Sequence, residues 1–166
     1  MEHPEEKKNN SIDSIAGYTG RILGIDYGTK RIGVAVSDES NTMAFPVEVF
    51  KNEGNKKSAE YIYKVCSITY GGIEHVVLGE SKDYKGVDNV IMEDVREFAE
   101  HLKSLLIETH FEPEVLSTMQ AERIQGKRDD IDSSAAAVIL QSFLDRMHTD
   151  TSQKTMQEIR DSKYEL

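Results

Sequence analysis

The sequence predicts an α/β fold: a five-stranded mixed sheet, built from a three-strand antiparallel meander plus two parallel strands, flanked by helices. Two observations carry this. Three short apolar runs with tight connections open the folded part of the chain, and amphipathic segments then alternate with further apolar runs. The resulting order, β-β-β-α-β-α-β-α, turns from hairpin connections to crossover connections halfway along. The length, 166 residues, is enough for one sizeable core and too little for two.

Residues 1–20 are polar, with Ser11, Asp13, Ser14, Gly17 and Gly20 scattered through them, and read as a flexible N-terminal arm. The domain itself spans 21–148. Its first strand is Arg21 to Asp26, an apolar run that ends in an acid. Tyr27 to Lys30 is a tight turn in which Gly28 is free to take positive φ. Arg31 to Asp38 and Ala44 to Lys51 are the next strands, and Pro46 marks the latter as an edge or a bulge. Lys56 to Tyr70 places Ala59, Ile62, Tyr63 and Cys66 at helical spacing, and Gly71-Gly72 ends that helix. His75 to Glu80 has the composition of a buried strand. Val87 to Leu106 carries Ile91, Val95, Phe98, Leu102 and Leu105 on one face of a helix. Phe111 to Ser117 is a strand interrupted by Pro113. Ile131 to Met147 lines up Ile131, Ala135, Val138, Ile139, Phe143 and Met147 as a final helix. Residues 149–166 form a polar C-terminal tail.

Right-handed crossovers put strands one, four and five side by side and parallel, with the meander on the other side of strand one. Strand one is then central. The irregular segments 81–89 and 119–130 both follow the carboxyl end of a strand, the edge where open α/β sheets bind ligands.

Composition narrows the function. Lys plus Arg is 20 against 30 for Asp plus Glu, so the net charge is −10. This argues against a generic polyanion binder, although screening over about 10 Å lets a local basic face act independently of the total. No apolar run approaches the roughly 20 residues of a membrane helix, so no membrane partner is expected. The opening residues, Met1 to Lys8, contain no apolar core of a secretory signal. A single cysteine, Cys66, excludes an internal disulfide framework and a Cys-rich zinc site. A cytoplasmic location is the expectation.

The chemistry gathers on acids. Asp26 ends the central strand, where a carboxylate is costly unless it is paired, hydrogen-bonded or bound to a cation; an Asx turn is the simpler role for it. Glu80 ends the neighbouring parallel strand and is expected near Asp26, and two such carboxylates ionise together only with a cation between them. Glu114 lies on the last strand. Glu112, two residues earlier, is expected on a solvated edge. Asp129, Asp130 and Asp132 open the last helix, where the helix dipole favours acids, and Asp132 sits beside the apolar stripe. Asp26, Glu80 or Glu114, and Asp132 can therefore converge on one sheet edge. Such hard oxygen donors suit Mg²⁺ or Mn²⁺, the ions of metal-assisted phosphodiester hydrolysis. Lys30, Arg31, Lys82, Lys85, Arg123, Lys127 and Arg128 lie close in sequence to these acids and are candidates for holding phosphates.

These residues resemble a known family. Ile25-Asp26-Tyr27-Gly28-Thr29-Lys30-Arg31-Ile32-Gly33-Val34-Ala35-Val36 is similar to the opening of the YqgF (RuvX-like) family. Val76-Val77-Leu78-Gly79, Gly86, Val95 to Ala99, Leu116-Ser117-Thr118, Ala121, Lys127, Ile131-Asp132, Ala135-Ala136 and Ile139-Leu140 continue the resemblance over about residues 21 to 147. It implies an RNase H-like fold, a metal-dependent nuclease acting on Holliday junctions or on the 5′ end of pre-16S rRNA, and Asp26 and Asp132 as metal-binding carboxylates. It also implies structured DNA or RNA as partner and, by analogy with junction resolvases, a homodimer. Two motifs differ. Gly79-Glu80-Ser81 stands where the family has Gly-Leu-Pro, and Pro113-Glu114-Val115 where it has Asp-Glu-Arg. The segment from Ala121 to Asp132 is also short. Glu80 falls where the junction resolvases of the wider superfamily carry a catalytic Glu. Two other function classes follow from the same residues. One is a catalytically degenerate RNase H-like module that binds nucleic acid or protein. The other takes Asp-x-Gly-Thr as the phosphate loop of actin-like ATPases, which need a second such domain.

Overall fold

The computed structural model describes residues 12, 15–80, 91–113 and 128–164, the last segment with side chains for 135–163. Five strands and three helices are described: β1 (Ile22–Tyr27), β2 (Arg31–Ser37), β3 (Ala44–Lys51), α1 (Asn55–Tyr70), β4 (His75–Glu80), α2 (Ile91–Ser104), β5 (Glu108–Pro113) and α3 (Arg128–Tyr164). The sheet order is β3-β2-β1-β4-β5, with β1 antiparallel to β2 and parallel to β4. This is the mixed sheet that the sequence predicts, with β1 at its centre.

The pleat sorts β1 between two layers. Leu23 and Ile25 join Val34, Ile62, Leu78, Val95 and Phe98 in a core under α1 and α2. Ile22 joins Ala35, Val77, Ala136, Leu140 and Phe143 in a second core under α3. Residues two apart share a face, so Gly24 and Asp26 lie on the α3 side. Gly24 is needed there. A Cβ on it would stand 2.6 Å from the Leu140 Cβ and 2.7 Å from the Ala136 carbonyl oxygen, so its absence lets α3 lie directly on β1.

Several boundaries differ from the sequence reading for identifiable reasons. Gly28 takes no positive φ; its role is close approach, since a Cβ would meet the Arg31 carbonyl oxygen at 2.5 Å. Pro46 does both things expected of it. It lies on edge strand β3, and the pairing shifts there, Ala35 opposing Pro46 while Val34 opposes Glu48. The β5 strand starts earlier than predicted, because Glu108 pairs with His75, and its described part runs to Pro113, which still opposes Glu80. Helix α2 closes in a left-handed turn at Leu106, φ 63°, with Ile107 N–H donating to the Leu102 carbonyl at 3.1 Å.

Toward both ends, the described residues are packed or helical where the sequence suggests an arm and a tail. Ile12 and Ile15 are 2% and 1% exposed and pack into the α3 core, so this part of the expected flexible arm is anchored. Helix α3 runs unbroken to Tyr164, so the expected polar tail is helical through that residue. Its side chains from 151 to 163 are exposed. No Gly or Pro interrupts 128–164, and Gln157 donates to Asp161 one turn on.

Candidate active site

Asp26 lies half-buried near the carboxyl end of β1, on the face covered by α3. Glycines surround it on that face. Gly24 precedes it by two residues, Gly33 is its partner on β2, and continuing the register Ile25↔Leu78 puts Gly79 beside it on β4. The carboxylate therefore stands in a recess whose flanking positions on its own and the adjoining strands are glycines.

Helix α3 runs antiparallel to β1 over this recess. His148 Nε2 lies 2.8 Å from the carbonyl oxygen of Asn41, whose Nδ2 donates to the Gly20 carbonyl at 2.9 Å. Ala136 and Leu140 lie over Gly24. Asp132 lies one turn before Ala136, on the part of α3 that runs toward the carboxyl end of β1. The Asp132 side chain lies outside the described residues.

The other predicted acids divide by face. Glu112 is paired with Gly79 and points toward α3: it accepts a hydrogen bond from Ser142 Oγ at 2.9 Å and an ion pair from Arg146. It is 4% exposed, which corrects the expectation of a solvated edge. The mistake has a physical cause, since its partners Ser142 and Arg146 lie 30 and 34 residues away. Glu114 is two residues further along and lies outside the described residues. Glu80 is half-buried at the end of β4, on the strand next to β1 as expected. Its pleat neighbours Val76 and Leu78 belong to the α1–α2 core, however. By the pleat of β4, Glu80 therefore falls on the face of Tyr27.

Lys30 and Arg31 are exposed in the β1–β2 turn at the same sheet edge as Asp26. The turn is held by Asn52, whose N–H donates to the Lys30 carbonyl and whose Nδ2 donates to the Gly28 carbonyl, each at 2.9 Å. Tyr27 Oη adds a hydrogen bond to Asn55 Oδ1 at the start of α1. Burial pushes the Tyr27 hydroxyl above its ordinary pKa, so this donor keeps its proton. Lys82, Lys85, Arg123 and Lys127 lie outside the described residues, as does the side chain of Arg128.

The sequence reading missed a second group of titratable side chains. His75 and His110 are buried with Nδ1 and Nε2 only 3.0 Å apart, and Glu108 Oε2 lies 3.8 Å from His75 Nδ1. Burial holds His75 below its ordinary pKa, partly opposed by the negative charge of Glu108. The signal available was Glu108-x-His110, two residues on one strand face, but no spacing in the sequence links them to His75.

The chain matches the RuvX family, described as a Holliday junction resolvase, over residues 20–146. It is 38% identical over 135 residues to a protein of Endomicrobium trichonymphae named "Putative pre-16S rRNA nuclease", covering 75% of this chain and 95% of that one. A relative of the same name from Caldanaerobacter subterraneus subsp. tengcongensis is 39% identical over 138 residues, covering 75% and 96%. Among solved structures, RuvC of Thermus thermophilus aligns with a TM-score of 0.48 at 17% identity, over 78% of this chain and 97% of that chain. The family match takes in every strand and the buried part of α3, and the curated relatives are spanned almost end to end, so the chain belongs to the RuvX family.

Proposed function

We propose that this protein is a divalent-metal-dependent endonuclease that hydrolyses phosphodiester bonds in structured RNA of the pre-16S rRNA class. The supporting observation is the setting of Asp26 at the end of β1, among Gly24, Gly33 and Gly79, on the face that α3 covers. The relatives' shared name points to the rRNA substrate.

The residues fit a hard cation. Asp26 offers carboxylate oxygens at the carboxyl end of the central strand, and Asp132 and Glu114 are the further acids of the proposed set. Those three would hold Mg²⁺ or Mn²⁺. A bound ion of this class lowers the pKa of water and offsets charge on phosphoryl oxygens. The chain's own part is positioning. The Asn52 hydrogen bonds fix the turn that carries Lys30 and Arg31, which hold the phosphate backbone at the sheet edge. Lys82, Lys85, Arg123, Lys127 and Arg128 extend that contact from the segments after β4 and β5.

The test is a cleavage assay with Mg²⁺ and with Mn²⁺, on a pre-16S rRNA fragment and on a four-way DNA junction. Asp26→Asn is expected to lose more than about a hundredfold in rate, with its unfolding midpoint unmoved, because a ligand is lost from the glycine-flanked recess. Full activity in that variant overturns the reading. Preference for the DNA junction would move the assignment to resolution, which needs two paired cuts and hence a dimer visible by light scattering. Binding of both substrates without cleavage would favour the non-catalytic module, the reading that the altered Pro113-Glu114-Val115 motif supports.

A further inference from the structure

The group formed by His75, Glu108 and His110 stands apart from the proposed carboxylate site. His75 is level with Ile22 on β1, four residues before Asp26, so the two lie about 13 Å apart along the sheet. The three residues belong to the amino-terminal ends of β4 and β5. Glu108 opposes His75 in the parallel register, and His110 follows on the same face. Their donor atoms all fall within 4.8 Å of one another.

We propose that His75, His110 and Glu108 form a binding site for a Zn²⁺-class ion that clips the starts of β4 and β5 together beneath the N-terminal segment. Two imidazoles and one carboxylate make a borderline-soft donor set, which suits Zn²⁺ and its analogue Co²⁺ and not Mg²⁺. The geometry is nearly formed. Two nitrogens bound at about 2.0–2.1 Å on a tetrahedral ion sit a little over 3 Å apart, and the separation here is 3.0 Å. At that separation one ring nitrogen carries a hydrogen between the two rings. The ion takes its place, and the ring that gave the hydrogen carries it on its other nitrogen instead, so both ligands are neutral imidazoles.

The surroundings orient the ligands. The edge of the Tyr18 ring packs on His75 with centroids 4.4 Å apart, and Phe143 of α3 lies 5.4 Å from His110. Both rings are thereby confined, while the Glu108 side chain is half-exposed and gives the ion its route in and a water its coordination position. The same corner is tied by the Glu108 N–H, which donates to the Glu74 carbonyl at 2.8 Å. Because Tyr18 belongs to the segment anchored by Ile12 and Ile15, ion binding also fixes the place where the N-terminal arm meets the sheet.

The experiment titrates the metal-stripped full-length chain with Co²⁺ and with Zn²⁺, reading the visible bands of tetrahedral Co²⁺, the stoichiometry and the thermal unfolding midpoint. The expected result is one ion per chain, tetrahedral Co²⁺ bands displaced by Zn²⁺, and a raised midpoint that Mg²⁺ does not reproduce. Glu108→Gln, at the half-exposed position, is expected to weaken Zn²⁺ binding more than about tenfold while folding normally. His75→Gln tests the buried ligand. Asp26→Asn is expected to bind Zn²⁺ unchanged, which separates this site from the cleavage site whatever the nuclease assay gives. Absence of tetrahedral bands in the folded wild type would overturn the proposal. So would binding that survives both Glu108→Gln and His75→Gln, or binding lost in Asp26→Asn.

Discussion

Gly24 sets the depth at which α3 lies on the central strand. The Leu140 Cβ and the Ala136 carbonyl would stand at 2.6 and 2.7 Å from an added Cβ, and the second of these is backbone, so it cannot rotate away. Gly24→Ala is expected to cost about 1–3 kcal/mol in urea unfolding by overpacking. It is also expected to lower cleavage, because it lifts the helix that covers the Asp26 face. A loss of stability with full activity would detach the helix position from the site. The sequence shows a glycine inside a strand, but the chain that approaches it lies 112 residues further on, beyond any local pattern. The same limit hid the burial of Glu112, whose neutralising Arg146 comes from α3. It also hid the meeting of His75 with His110. The place of Asp26 near the carboxyl end of the central strand was legible because its cues are local: an acid at the end of an apolar run, two residues before Gly28.

At the scale of elements, the sequence was most legible where periodicity and punctuation agree. Helix α1 ends at Gly71 with φ 75° in the left-handed region, as the Gly71-Gly72 pair implies. Helix α2 solves the same problem without glycine. Leu106 takes φ 63° and leaves 91% of its surface exposed. A non-glycine residue in that region costs about 1–2 kcal/mol, partly regained because glycine has more freedom to lose on folding. Leu106→Gly is therefore expected to stabilise the protein by about 0.5–1 kcal/mol in urea unfolding, with cleavage unchanged. An unchanged or lowered stability would show that the exposed leucine makes a contribution not visible in its contacts. The end of β5 was less legible, because Phe111 to Ser117 reads as one apolar-rich run while the parallel register with β4 fixes the start at Glu108.

At the scale of the whole molecule, the N-terminal segment closes the second core. Ile12 and Ile15 are nearly inaccessible, and each such side chain contributes about 1.5–3 kcal/mol when fully buried. A chain lacking residues 1–16 is expected to lose about 3 kcal/mol or more and to expose Phe143 and Met147, measurable by urea unfolding and by dye binding to apolar surface. A truncation as stable as the full chain would place those contacts outside the folding unit. The arm was unreadable in the sequence because two isolated isoleucines among polar residues give no periodic signal. Both cores, by contrast, were foreshadowed by the apolar stripes of α1, α2 and the first half of α3.

The rest of α3 gives the particle an unusual outline. Its buried side chains reach Met147 and its contact with the β2–β3 connection His148, and the helix then continues with 13 exposed side chains from 151 to 163, about 20 Å of rod. A rounded chain of this length has a radius of gyration near 15 Å. Small-angle scattering should therefore give a larger value and a pair-distance distribution with a long shoulder. Tumbling in solution should be anisotropic, with the overhanging rod sweeping a volume that the sheet alone would not occupy.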